Sequence, residues 1–150
     1  MEQTYNEIEK QEENTLTMCG YCCALCKAFA PNIHRKDERA QLSMMWKKYY
    51  DLAYEPDAIY CEGCRCKKPE AKRIDMNCPV RKCVMEKKLE HCGACEAYPC
   101  DTFKLREGMD METAKQQLGE LFSANEYTDY LSAYDNSTRL DEYKKRQNLT

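Results

Sequence analysis

Apolar positions along the chain recur at helical spacing in several windows, and no stretch sustains strand alternation. Ala40, Met44, Met45, Trp46, Tyr49, Leu52 and Ala53 give apolar faces to a segment from about Lys36 to Tyr54, followed by Pro56. This predicts one long helix. A shorter helix is predicted from Val80 to Leu89, with Val84 and Met85 facing inward and Gly93 beyond it as a stop. After Gly108-Met109-Asp110, the residues Ala114, Leu118, Leu121 and Phe122 fall at i, i+4, i+7 and i+8. Asn125 can cap a second C-terminal helix with Tyr127, Tyr130, Leu131 and Tyr134 on one face. Ser137 can cap a third, short and charged, carrying Leu140 and Tyr143. Ala58-Ile59-Tyr60-Cys61 is the best candidate for a short strand. Residues 1–18 hold five Glu and one Lys and show weak helical character at Tyr5 and Ile8. No repeat of fixed period is visible.

The pattern predicts a small, mostly α domain with irregular loops, a helical C-terminal tail and little or no β-sheet. Its expected parts are an acidic segment 1–18, a cysteine-rich region 19–103 and C-terminal helices 104–150 packed on that region. Composition changes the picture of what holds it together. Ile, Leu, Val and Phe together supply 20 of 150 residues, while 33% are charged. That aliphatic share is below the ~20% at which highly charged chains tend to disorder. The 12 cysteines are the evident supplement, and they point to a metal-stabilised fold. No apolar run approaches the ~18 residues of a membrane span. The N-terminus has neither a basic n-region nor an apolar h-region, so the expected location is the cytoplasm. Thiols stay reduced there, and clustered cysteines then favour metal ligation over disulfides.

Every cysteine lies within residues 19–100, in four groups: CGYCCALC from Cys19, CEGCRC from Cys61, CPVRKC from Cys78 and CGACEAYPC from Cys92. A CxxC pair suits tetrahedral zinc because both sulfurs of one tight turn can reach one ion. Cys23/Cys26, Cys61/Cys64 and Cys92/Cys95 are three such pairs, and Cys19/Cys22 is a fourth candidate. Cys61-x2-Cys64-x13-Cys78-x4-Cys83 has near zinc-ribbon spacing and is the preferred set for one ion. A second ion would draw on Cys19, Cys23, Cys26, Cys92, Cys95 and Cys100, although an interleaved cross-brace fits the spacing equally. Residues 61–88 carry nine basic and four acidic side chains. A zinc ion held by four thiolates is an anion of charge −2, which neighbouring cations offset. That reading disfavours nucleic acid as a partner, since such binding rests on phosphate neutralisation. His91 could ligate but is expected to be exposed or hydrogen-bonded, and His34 to lie at the surface.

The ordered motifs, CG-x-x-C-x-x-C, a helix with a Trp, IYC-x-GC, CPVRKC and E-x-CGAC-x-x-YPC, resemble a prokaryotic family of small cysteine-rich proteins of unknown function with zinc binding expected. The resemblance spans about Cys19 to Cys100. It implies Cys19, Cys23, Cys26, Cys61, Cys64, Cys78, Cys83, Cys92, Cys95 and Cys100 as the metal ligands, with Cys22 and Cys66 as additions and Val80 in the place of a usual Ile. It implies no reaction. The expected function is a non-enzymatic structural or interaction module with two or three closed zinc sites and an unidentified protein partner. The alternative is an iron–sulfur electron-transfer or redox protein. Cys19-x3-Cys23-x2-Cys26 matches the CxxxCxxC of radical S-adenosylmethionine enzymes, but the chain is too short for their β/α barrel. Thiol exchange at Cys92/Cys95 is disfavoured, because redox CxxC pairs usually open a helix in a βαβ unit. Neither a P-loop nor GxGxxG nor GxSxG occurs.

Overall fold

The computed structural model describes residues 16–148. It is helical, and among the described residues β pairing is confined to two isolated bridges, Leu16 with Cys22 and Phe29 with Cys61. The expectations at Tyr5 and Ile8 lie outside the described residues.

Helix α1 (Ala30–Arg35) starts with Pro31 in its first turn and was not anticipated. Helix α2 (Arg39–Tyr50) is shorter than the predicted span and buries Leu42, Trp46 and Tyr49, an i, i+4, i+7 face. It stops because Asp51 turns left-handed (φ 54°), its N–H bonding the Lys47 carbonyl at 3.1 Å and the Leu52 N–H the Trp46 carbonyl at 3.2 Å. Helix α3 (Pro79–Glu86) places Pro79 at its start, where a missing N–H costs nothing, and buries Val80 and Val84. Met85, expected to face inward, is 51% exposed, being one residue past that face. Lys88 (φ 58°), rather than Gly93, terminates this segment.

Helix α4 (Asp101–Lys104) buries Phe103. Helix α5 (Met111–Leu118) is capped by Asp110, whose Oδ1 accepts the Thr113 N–H at 2.7 Å. It ends at Gly119, and the chain then tightens into a 3-10 turn (Gly119–Leu121). That break leaves Leu121 68% exposed and takes Phe122 off the predicted stripe to pack edge-on against Tyr49. Ser123, not Asn125, caps α6 (Ala124–Glu126), which continues as a π turn (Tyr127–Leu131) and a 3-10 turn (Ser132–Tyr134). Helix α7 (Asn136–Asn148) is longer than expected, and Asp135 rather than Ser137 caps it, accepting the Thr138 N–H at 3.4 Å.

The strand candidate reduces to one bridge. Pro56–Ala58 forms a 3-10 turn, Ile59 is fully buried, and only Cys61 pairs, its N–H on Ala28 O (2.9 Å) and its C=O on Ala30 N–H (2.7 Å). Three buried clusters result. The first gathers Met18, Cys19, Val80, Val84, Cys92, Tyr98, Phe103 and Leu140, with Cys64, Cys78 and Cys100 against it. The second joins Ala28, Leu42, Trp46 and Ile59, with Cys26 and Cys61 packed on them. The third, around Tyr49, Ala114, Tyr127 and Leu131, is a helix-packing core between α2 and the tail.

Candidate metal centre

Cys23-Ala-Leu-Cys26 and Cys92-Gly-Ala-Cys95 fold alike. Each is a single 3-10 turn whose first residue is the leading cysteine. The trailing cysteine returns its N–H to the leading carbonyl at 3.0 Å in both. One residue earlier, Leu25 N–H bonds Cys22 O and Ala94 N–H bonds His91 O, each at 3.1 Å. Three residues later, the aromatic N–H bonds the trailing cysteine's carbonyl, Phe29 to Cys26 at 3.1 Å and Tyr98 to Cys95 at 3.2 Å. In each turn the alanine two residues past the trailing cysteine, Ala28 or Ala97, directs its N–H at that thiol. The shared sequence C-x-x-C-x-A-aromatic carries this two-copy repeat, which a search for fixed periods does not detect.

The first turn faces Cys61 and Cys64. The parallel bridge between Phe29 and Cys61 brings the segments together, and Gly63 (φ 99°) lets the chain pass under the Phe29 ring and beside Cys23. A Cβ there would stand 3.1 Å from Phe29 Cε1 and 3.9 Å from Cys23 Sγ. The Cys64 N–H points at the Cys23 thiol. Burial pushes the Cys23 thiol well up, and Cys64, Cys26 and Cys61 beside it push it further. Cys26 is raised to about 11 by burial, opposed by the Tyr134 hydroxyl 3.0 Å away and by the N–H groups of Ala28 and Phe29. Trp46 Nε1–H donates to that same hydroxyl at 3.1 Å. Asn32, on α1, donates its amide to the carbonyls of Cys26 (2.7 Å), Ala24 (3.0 Å) and Cys23 (3.3 Å).

The second turn faces Cys83 of α3 and Cys100 at the start of α4. These four cysteines line one small apolar cavity of about 10 Å³ with Val80, Val84, Tyr98 and Phe103. Cys100 Sγ accepts the Phe103 N–H at 3.5 Å. Burial raises Cys92 to about 12, with Cys19, Cys100, Cys83 and Cys95 adding to it. Cys95 is the exception. The Ala97 N–H, and then Lys87 with its Nζ 3.3 Å from the sulfur, hold its pKa below the ordinary thiol value. Lys144 of α7 donates to the Cys95 carbonyl at 2.8 Å.

Between these groups lie Cys19 and Cys78. Burial raises Cys19 to about 11, and Thr17 Oγ1 sits 3.3 Å from its sulfur. Cys64 is raised to about 12 by burial, then by Cys19, Cys61 and Cys78. Of the set that linear spacing favours for one ion, Cys61 and Cys78 both lie beside Cys64, whereas Cys83 lines the cavity of the second turn. Long-range backbone pairing, which spacing does not register, decides this. Cys22 is buried and returns its N–H to Ala133 O at 2.9 Å, and Cys66 Sγ lies 3.8 Å from Glu62 Oε2. His34 is exposed beside Tyr60, as expected. His91 departs from expectation. It is 4% exposed, its Nδ1 has no hydrogen-bond partner, and its ring meets Tyr143 edge-on at 4.5 Å.

The arginines of the basic stretch are spent on this scaffold. Arg65 donates to Leu16 O and Glu90 O, Arg73 to Gly63 O and Cys66 O, and Arg81 to Cys64 O. Among the described residues no disulfide joins any of the 12 cysteines, and no three Cys, His, Asp or Glu side chains converge tightly enough to ligate an ion as they stand. The structure brings the thiols into common neighbourhoods without forming a coordination sphere. Their chemistry suits a soft divalent ion: buried thiols that oppose one another's ionisation are stabilised as thiolates by a central cation. The backbone N–H groups aimed at them would orient such ligands.

Residues 15–105 match the family described as Protein of unknown function (DUF3795). No curated protein and no solved structure matches the chain. The match spans the four cysteine motifs and the helices that carry them, and the chain therefore belongs to the DUF3795 family.

Proposed function

We propose that this protein is a zinc-stabilised, non-enzymatic module in which thiolate-held ions replace much of an aliphatic core, leaving the surface to a protein partner. One observation carries the reading. Two turns with the same hydrogen-bonded form each meet a second pair of thiols, Cys61 and Cys64 from a distant part of the chain for the first and the flanking Cys83 and Cys100 for the second. One set is Cys23, Cys26, Cys61 and Cys64, and the other is Cys83, Cys92, Cys95 and Cys100. Four thiolates with no open position are the make-up of a structural zinc site. The setting supports this role, since these cysteines pack on buried side chains and the cavity among the second set is no larger than about one water. The arginines turned onto cysteine-loop carbonyls support a structural use of the basic stretch over phosphate binding.

Elemental analysis of the full chain purified aerobically tests the reading. Zinc at two or three ions per chain with little iron is the expected result. Stoichiometric iron with acid-labile sulfide would replace it by the iron–sulfur alternative, which the same donors could serve.

A further inference from the structure

We propose that the centre is one continuous chain of three four-thiolate sites, in which Cys64 and Cys92 each bridge two ions and Cys19 and Cys78 complete the middle site. The inference rests on the zinc reading above. Its geometric basis is a node where four segments meet. Cys19 and Cys92 are buried in one cluster, and Cys64 and Cys78 pack directly on it. The Cys92 N–H bonds the carbonyl of Met18, the residue before Cys19, at 2.8 Å. Arg81, in the first turn of the helix that Cys78 caps, donates to Cys64 O at 2.9 Å. Arg65, next to Cys64, reaches Leu16 O at 2.6 Å and Glu90 O at 2.5 Å, tying the same segments again.

Two of these four thiols also belong to the outer groups. Cys64, next to the Gly63 that passes beside Cys23, directs its N–H at the Cys23 thiol of the first turn, and Cys92 opens the second and lines its cavity. Three tetrahedra sharing two corners need ten donors, and ten cysteines remain once Cys22 and Cys66 are set aside. Two unshared sites would use eight and leave Cys19, 4% exposed, and Cys78 as packed thiols with no metal. Sharing also limits buried charge: three divalent ions on ten thiolates carry −4, against −6 for three separate sites. Burying net charge is costly without partners. Arg73, Arg81, Lys87 and Lys144, each bonded to a carbonyl or sulfur of the cysteine loops, supply four compensating cations.

The full chain reconstituted with cadmium-113 provides the test. Three cadmium resonances are expected, the middle one coupled to both others. In a proton–cadmium correlation, the β-protons of Cys64 and Cys92 should each show two metals and those of the other eight ligands one. Cys78→Ser should take the count from three ions to two and abolish both couplings. Two uncoupled resonances, or three without coupling, would overturn the bridged chain while leaving the zinc reading intact. Failure to bind zinc or cadmium at all would overturn both. Should Cys78→Ser not fold, the wild-type couplings alone decide.

Discussion

Asn32 shows how far the candidate centre depends on residues that are not thiols. Its amide donates to three carbonyls of the first CxxC turn, which would otherwise point from a 3-10 turn too short to satisfy them. Asn32→Ala removes the donor and leaves those acceptors partly buried. The cost should be about 1–3 kcal/mol, read as a lowered urea midpoint of the metal-loaded protein with an unchanged slope. An unaltered midpoint would mean that the turn is held without it. Tyr134 plays a related part from the tail, its hydroxyl placed between Cys26 Sγ and the Trp46 indole N–H. Neither residue was legible beforehand. The ten thiols stand out as candidates because ligand chemistry is written in residue type and short spacing. Asn32 and Tyr134 act through contacts whose partners are set by the finished fold. The grouping of Cys83 with the second turn rather than with Cys61 and Cys64 was hidden for the same reason, since it follows from the Phe29–Cys61 bridge and the placement of α3.

The legible helices are those with a sustained face. Helix α2 was readable from a face that included Trp46 and Tyr49 but missed the buried Leu42, and its end was misplaced because a left-handed Asp51 leaves no composition signal. The six-residue α1 and four-residue α4 are too short for periodicity to reveal. The break at Gly119 and the π turn at Tyr127–Leu131 shift side-chain register, so an unbroken helical stripe was the wrong template for the tail. Helix α7 is the element whose consequence reaches furthest. Leu140 is fully buried in the cluster of Cys19 and Cys92, a Cβ at Gly20 would come within 2.9 Å of it, Asp141 accepts the Tyr98 hydroxyl at 2.8 Å, and Tyr143 covers His91. The family match ends at residue 105, yet this later helix closes over the second turn. Leu140→Ala should therefore destabilise by about 2–5 kcal/mol, seen as a large fall in the thermal midpoint. A loss under about 1 kcal/mol would show that α7 rests on the cysteine region without contributing to it.

For the molecule as a whole, the sparse aliphatic content and the many thiols are two sides of one design. Cysteines occupy core positions beside Val80, Val84 and Phe103 in one cluster and beside Ala28 and Ile59 in another, where a larger domain would place Leu and Ile. Burial opposes the ionisation of Cys19, Cys23, Cys26, Cys64 and Cys92 in the free protein. Ions that bind thiolates would turn that cost into stability, on the order of 10–16 kcal/mol per structural zinc site. Net folding stability is only about 5–15 kcal/mol, so losing the ions should remove the cooperative fold. The direct measurement is a thermal melt followed by near-ultraviolet circular dichroism, on the zinc-loaded chain and on the same chain stripped by chelator under reducing conditions. On the zinc-stabilised reading, the stripped protein loses its near-ultraviolet signal and its transition and regains both on adding zinc. A stripped protein that keeps the signal and melts cooperatively at the same temperature would contradict it.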